Sequence, residues 1–204
     1  MSTHRPIHEF LDSDTFAFLD LETTGGSSGH DRITEIGIRF WRDGQVIDEW
    51  QTLVNPQCRI PAYIERFTGI TNEMVADAPP FEAVADELRE RLKGCIFVAH
   101  NARFDYGFIK SEFRRLAQPF SAKVLCTVKL SRRLYPEHRR HNMDALIERH
   151  GLQQVQRHRA MGDVAAMMEF FTHAVAEKGE GTVEQAVRTL LQRPSVPSHM
   201  PPDI

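Results

Sequence analysis

No stretch of this chain approaches the roughly 18 consecutive apolar residues that a membrane-spanning helix needs. Met1 to Asp14 holds no apolar segment of signal-peptide length either, so the expectation is a cytoplasmic protein without a membrane partner. Cysteine is scarce: Cys58, Cys95 and Cys126 are odd in number and widely spaced, which suggests neither a disulfide framework nor a zinc motif. Internal repeats are absent, and low complexity is confined to Pro194–Pro202. Charge of one sign is not in excess either. A formal net charge of −3 excludes a chain that is basic throughout, so any attraction for an anionic polymer must come from local patches or bound ions. What remains is 204 residues, 41% hydrophobic and 26% charged, enough for one well-buried domain and too few for two large ones.

The most informative string is Phe18-Leu19-Asp20-Leu21-Glu22-Thr23-Thr24-Gly25. It sets two carboxylates two residues apart inside an apolar, strand-like run. Residues two apart on a strand share a face, about 7 Å from one another. Neighbouring carboxylates repel and lose hydration, at a cost that shared protons or a bound cation can offset. Hard oxygen donors favour Mg²⁺ or Mn²⁺. A strand end re-emerging into solvent would show the same pair.

Two further segments bear on that choice. His100-Asn101-Ala102-Arg103-Phe104-Asp105 follows the apolar run Cys95–Ala99 and reads as strand, turn and helix, with Phe104, Phe108, Ile109 and Phe113 at helical spacing. Asp105 then lies in a first helical turn beyond a parallel-type strand, where sites of open α/β sheets gather. Ordinary capping or dipole chemistry would also put an Asp there. The other segment, His158-Arg159-Ala160-Met161-Gly162-Asp163, opens an amphipathic run through Phe171. On one helix His158 and Asp163 would stand roughly 140° apart and could not face one site. Either His158 is a solvated residue, or it lies on a loop before the helix and swings over the site that Asp163 enters. Hydrolysis assisted by a cation needs carboxylates and a separate neutral base, and His suits that task near neutrality.

The coarse architecture is α/β. Residues 15–22, 33–41 and 45–54 read as strands, the last two joined by the Asp-Gly hairpin signal of Arg42-Asp43-Gly44-Gln45. Helices are predicted over Pro61–Phe67, a short one, and over Pro80–Leu92. Strands at 95–99 and 123–126 then alternate with helices at 103–117, 127–134, 142–150 and 160–178, and a last helix covers Thr182–Leu191. A three-strand antiparallel meander followed by parallel strands gives a mixed sheet flanked by helices. The expected organisation is an N-terminal extension over 1–13, one domain over 14–192 and a Pro-rich tail or linker over 193–204. Basic clusters at Arg114–Arg115, Arg132–His141 and Arg157–Arg159 are solvated faces or, given their nearness to the motifs, tracks for phosphates.

With these segments in view, the chain resembles the DEDDh, or DnaQ-like, family of 3′-to-5′ exonucleases, which includes the proofreading epsilon subunit of bacterial DNA polymerase III. Asp20 and Glu22 match its first motif, Asp105 its second, and His158 with Asp163 its third. Ile33-Thr34-Glu35-Ile36-Gly37, Thr68-Gly69-Ile70-Thr71 and His141-Asn142-Met143-Asp144-Ala145-Leu146 extend the likeness over about residues 14–176. The resemblance implies a ribonuclease H-like fold and metal-dependent release of nucleoside 5′-monophosphates from single-stranded or frayed 3′ ends of DNA, in proofreading or repair. It leaves open RNA trimming by the same chemistry, or a nucleic-acid-binding module without catalysis. It further implies two Mg²⁺ or Mn²⁺ ions: Asp20 bridging both, Glu22 and Asp163 completing the first, and Asp105 holding the second through water. His158 would take the proton of the attacking water, and Glu22 would help orient that water or the terminal 3′ hydroxyl. Thr23, Thr24, Gly25, Asn101 and His158 would meet the terminal nucleotide. One position departs from the family: Gly26 stands where an apolar residue often wedges against the terminal base, so a neighbouring residue must supply that contact. A DNA polymerase, a further domain or another partner would attach through the tail.

Overall fold

The computed structural model describes residues 14–153 and 157–192; the expected N-terminal extension and Pro-rich tail lie outside them. Strands β1 (Phe16–Thr23), β2 (Ile33–Arg42), β3 (Gln45–Leu53), β4 (Ile96–Ala99) and β5 (Lys123–Cys126) form one sheet in the order β3-β2-β1-β4-β5. β1, β2 and β3 pair antiparallel, whereas β1–β4 and β4–β5 pair parallel. The expected mixed sheet is therefore present. The β2–β3 turn follows from its residues: Asp43 and Gly44 both take positive φ, 52° and 78°, as a two-residue hairpin of primed type requires.

The helices are α1 (Ala62–Thr68), α2 (Asn72–Ala76), α3 (Phe81–Leu92), α4 (Arg103–Arg115), α5 (Thr127–Leu134), α6 (Met143–His150), α7 (Ala160–Lys178) and α8 (Glu180–Gln192). α2 was not expected from the sequence; its five residues are too few to display a periodicity, and its visible signal is Thr71, whose hydroxyl accepts the Met74 N–H. α8 begins at Glu180 rather than Thr182, because only Gly179 separates it from α7.

Alternation along β1 divides the core. Phe16 and Phe18 face a layer of α5, α6, α7 and α8, where Phe171 packs edge-on against Phe18 and Trp41. Ala17, Leu19 and Leu21 face the opposite layer, built on α3 and α4. No described helix is long and apolar enough to cross a membrane.

Candidate active site

The face of β1 that carries Phe16 and Phe18 continues as Asp20 and Glu22, so one side of one strand turns from apolar to acidic within four alternating positions. The register sets Gly37 of β2 opposite Asp20 and Glu35 opposite Glu22. A bulge follows at once: Thr23 pairs with Ile33, so Thr34 is the extra residue. Gly37 is what lets α7 come down on this face. A Cβ there would meet the Ala160 Cβ at 2.9 Å and two backbone atoms, Ala160 C and Met161 N, at 3.0 Å. Because α7 starts in that contact, Asp163 in its first turn reaches the acidic end of β1. Carboxylate oxygens of Asp20, Glu22 and Asp163 all lie within 4.8 Å of one another.

Asp105 arrives from the other side. β4 pairs with β1 only along Phe16–Phe18, so β1 projects beyond it, and the Leu21 N–H donates to the Asp105 carboxylate. Asp105 is 2% exposed and stands outside the group of three, yet close enough to act on Asp20. Burial, with repulsion from Asp105 and Glu22, pushes Asp20 well above the usual carboxylate range. Burial and the charge of Glu35 push Glu22 to about 7, and burial pushes Asp105 to about 7 against the two backbone N–H groups it accepts. Acidic oxygens crowded in this way make a donor set of the hard kind, and they fit a divalent cation, whose charge would restore them to ionised ligands.

Sequence reasoning missed Glu35. It is fully buried, directly across from Glu22, a like-charge pairing that would destabilise the sheet by itself. Arg159 answers it with Nη2 at 2.6 Å and Nε at 3.1 Å, while the Ala160 N–H and Gln51 Nε2 donate at 2.9 Å each. Although burial pushes Glu35 up, these donors hold it below its ordinary value. Arg159 is thus a clamp between β2 and the start of α7. Arg157 pairs with Asp163 and with Asp144, the latter at 2.8 Å. Of the two readings the sequence left open for Arg157 and Arg159, a solvated face or a track for phosphates, neither includes these carboxylate partners. Arg115 is likewise engaged, with Glu112 at 3.3 Å and with the Ser28 and Gly29 carbonyls.

His158 lies on the loop before α7, with φ of 61°, and its N–H donates to Asp163 Oδ2 at 3.3 Å. That backbone conformation takes the ring off the helical path. The imidazole rests on Phe67 of α1, ring centroids 4.0 Å apart. Burial and the Arg157 charge lower its pKa from the ordinary imidazole value. Phe67 itself is 58% exposed, a large apolar ring at the mouth of an acidic site, and it was not singled out from sequence.

The remaining sequence candidates stand around this centre. Thr23 and Thr24 are buried with their hydroxyls spent internally: Thr23 donates to the Gly25 carbonyl at 2.6 Å, and Thr24 donates to Asp31 and accepts the Arg32 N–H. The Thr24 N–H is used as well, on the Arg32 carbonyl. The hydroxyls of both residues therefore fix the loop. Gly25 has no room for a Cβ, which would meet the Asp31 carboxylate at 2.6 Å, whereas Gly26 faces open space. Asn101 is exposed with φ of 61°, and its carbonyl accepts the Phe104 N–H, starting the turn that leads to Asp105.

Comparison with known proteins gives the same direction. The exonuclease family model of RNase T type matches residues 17–171. The PolC-type DNA polymerase III of Caldanaerobacter subterraneus is 38% identical over 181 residues, 87% of this chain but 13% of that protein. The 3′-5′ exonuclease DinG of Staphylococcus epidermidis is 38% identical over 161 residues, 78% of this chain and 18% of the relative. The chain thus spans less than a fifth of these relatives. Among solved structures, Exonuclease X in complex with 5′-overhanging duplex DNA aligns with a TM-score of 0.63 and 28% identity, covering 83% of this chain and 97% of the other. Exonuclease I shares the fold, with a TM-score of 0.75 at 17% identity over 85% of this chain and 43% of its own.

Proposed function

Since this chain belongs to the exonuclease family, we propose that it removes nucleotides from the 3′ end of single-stranded or frayed DNA by divalent-metal-dependent hydrolysis, releasing nucleoside 5′-monophosphates. The observation that carries this reading is the convergence of Asp20, Glu22 and Asp163 within 4.8 Å, with Asp105 beside them and His158 on the adjoining loop. DNA is favoured over RNA by the relatives of 38% identity, a DNA polymerase and a 3′-5′ exonuclease, and by the Exonuclease X complex with DNA.

Asp20, Glu22 and Asp163 would hold one Mg²⁺ or Mn²⁺ ion, and Asp20 with Asp105 a second. Bound there, such ions neutralise phosphate oxygens, acidify water and stabilise the leaving 3′ oxygen. The protein does the rest. His158 accepts the proton of the attacking water, a role that suits an imidazole whose pKa burial lowers. Glu22 orients that water, and the exposed face of Phe67 takes the terminal base that Gly26 cannot wedge. Asn101 and the loop closed by Thr23, Thr24 and Gly25 border the terminal nucleotide. Given the share of its relatives that this chain spans, we also propose that it works as a module beside a polymerase or a further domain, with residues 193–204 as the connection.

The test is a 3′-labelled DNA oligonucleotide incubated with the protein and Mg²⁺ or Mn²⁺, with an RNA of the same sequence and a circular single strand alongside. Stepwise mononucleotide release from linear DNA, its loss in Asp20→Ala and Asp163→Ala, and survival of the circle are the expected results. Undiminished turnover in either variant would refute the site; cutting of the circle would mean an endonuclease.

A further inference from the structure

Behind the sheet-facing side of α7, a second group of ligating side chains lies outside the carboxylate centre. His150 closes α6, and His173 and Glu177 stand one helical turn apart near the end of α7. One ligand atom from each can be chosen so that all lie within 4.8 Å of one another. His173 Nε2 is 3.4 Å from Glu177 Oε2, and the rings of His150 and His173 are 4.8 Å apart. His150 Nε2 is buried and has no hydrogen-bond partner.

We propose that His150, His173 and Glu177 form a second metal site, for a divalent late transition ion of the Zn²⁺ class, distinct from the carboxylate site. Its donors differ in kind from those on β1. Two imidazoles and one carboxylate suit Zn²⁺ rather than Mg²⁺, leaving a coordination position for water. The surroundings orient the ligands. The Tyr135 hydroxyl donates to Glu177 Oε2 at 2.9 Å, the outer-shell bond that commonly aims a ligating carboxylate. Tyr135 and Phe170 hold the His150 ring with centroids at 4.8 and 5.6 Å. Lys178 Nζ is 3.3 Å from the other oxygen, Oε1, leaving Oε2 turned to His173 and Tyr135. An ion here would tie the end of α6 to the C-terminal part of α7.

Co²⁺ added to the full chain serves as a spectroscopic stand-in, because tetrahedral nitrogen and oxygen ligation gives intense visible d–d bands that octahedral oxygen sites lack. The expected result is a tetrahedral band that Zn²⁺ displaces, that persists in Asp20→Asn/Asp163→Asn and that disappears in His173→Ala. Tyr135→Phe should weaken Zn²⁺ affinity by about 10- to 100-fold, the usual cost of losing an outer-shell partner. His173 and Glu177 are partly exposed, so His173→Ala and Glu177→Gln remain informative even if His150→Ala folds poorly. Absence of the band in the unmodified chain, or a band that survives His173→Ala and vanishes with the two carboxamide substitutions, would overturn the proposal. Neither result bears on 3′-end hydrolysis, which is read separately.

Discussion

Gly37→Ala isolates the contact on which the site depends. The added Cβ would sit 2.9 Å from the Ala160 Cβ and 3.0 Å from Ala160 C and Met161 N. Comfortable carbon contacts lie at about 3.5–4.0 Å, so the start of α7 must retreat by roughly 0.5–1 Å. Two of the three opposing atoms are backbone, and no rotamer change can relieve them. Overpacking costs about 1–3 kcal/mol, offset by about 0.4–1 kcal/mol from the lower entropy of an unfolded chain that has lost a glycine. At roughly 2–4 °C per kcal/mol for a domain of this size, Tm should fall by no more than about 10 °C. Activity should fall much further. Asp163 moves with the helix while Asp20 stays on β1, and a misplacement of about 1 Å can cost about 10²-fold. The assay is single-turnover release from a 3′-labelled oligonucleotide beside a thermal melt of the same sample. Pairing Gly37→Ala with Ala160→Gly removes only the Cβ contact, so recovery should be partial. A Gly37→Ala enzyme within twofold of the unmodified rate would refute the claim that this contact sets the spacing of the carboxylates.

His158→Ala should lower the hydrolytic rate by about 10² to 10⁴, the usual range for a general base, while divalent-ion affinity measured by calorimetry stays unchanged; a collapse of affinity would make His158 a ligand instead. Phe67→Ala should raise KM for a single strand by about 5- to 150-fold, the range for one lost base stack, with Tm unaltered because the ring is largely exposed; an unchanged KM would remove Phe67 from the substrate path. Without metal, Glu22 stands near 7 in the folded chain against an ordinary 4.5, so its protonation stabilises the fold below about pH 4.5 and this contribution is lost as pH rises through 7. Glu22→Gln should therefore gain stability relative to the unmodified chain between about pH 5.5 and 8 in chelator, by roughly 3 kcal/mol at most, and saturating Mg²⁺ should cancel that gain; a difference independent of pH would show that Glu22 carries no such burden.

The sheet was legible because its signals are local. Alternation between Phe16 and Glu22 names both the buried face and its acidic end, and Asp43-Gly44 specifies the hairpin that aligns β2. His158 and Asp163 were legible as partners once helical geometry forbade them a common helix face. Glu35 was not, since a lone Glu in an apolar strand looks the same whether it is solvated or buried. Its burial depends on the Glu22–Glu35 register and on Arg159, 124 residues further along the chain, neither of which a local pattern can display. The same lack of long-range information left Arg157 and Arg159 readable only as a solvated face or a phosphate track, while their ion pairs with Asp163 and Glu35 stayed hidden. Thr23 and Thr24 were named by the family resemblance alone, which does not show that Thr23 spends its hydroxyl on the Gly25 carbonyl and Thr24 on Asp31 and Arg32 across the loop. Phe67 escaped notice for a related reason: seven residues of helix do not reveal which ring is left without a core. The acidic centre is thus assembled by contacts of two ranges. Local alternation delivers Asp20 and Glu22, and the long-range pairing of Glu35 with Arg159 delivers the helix that brings Asp163.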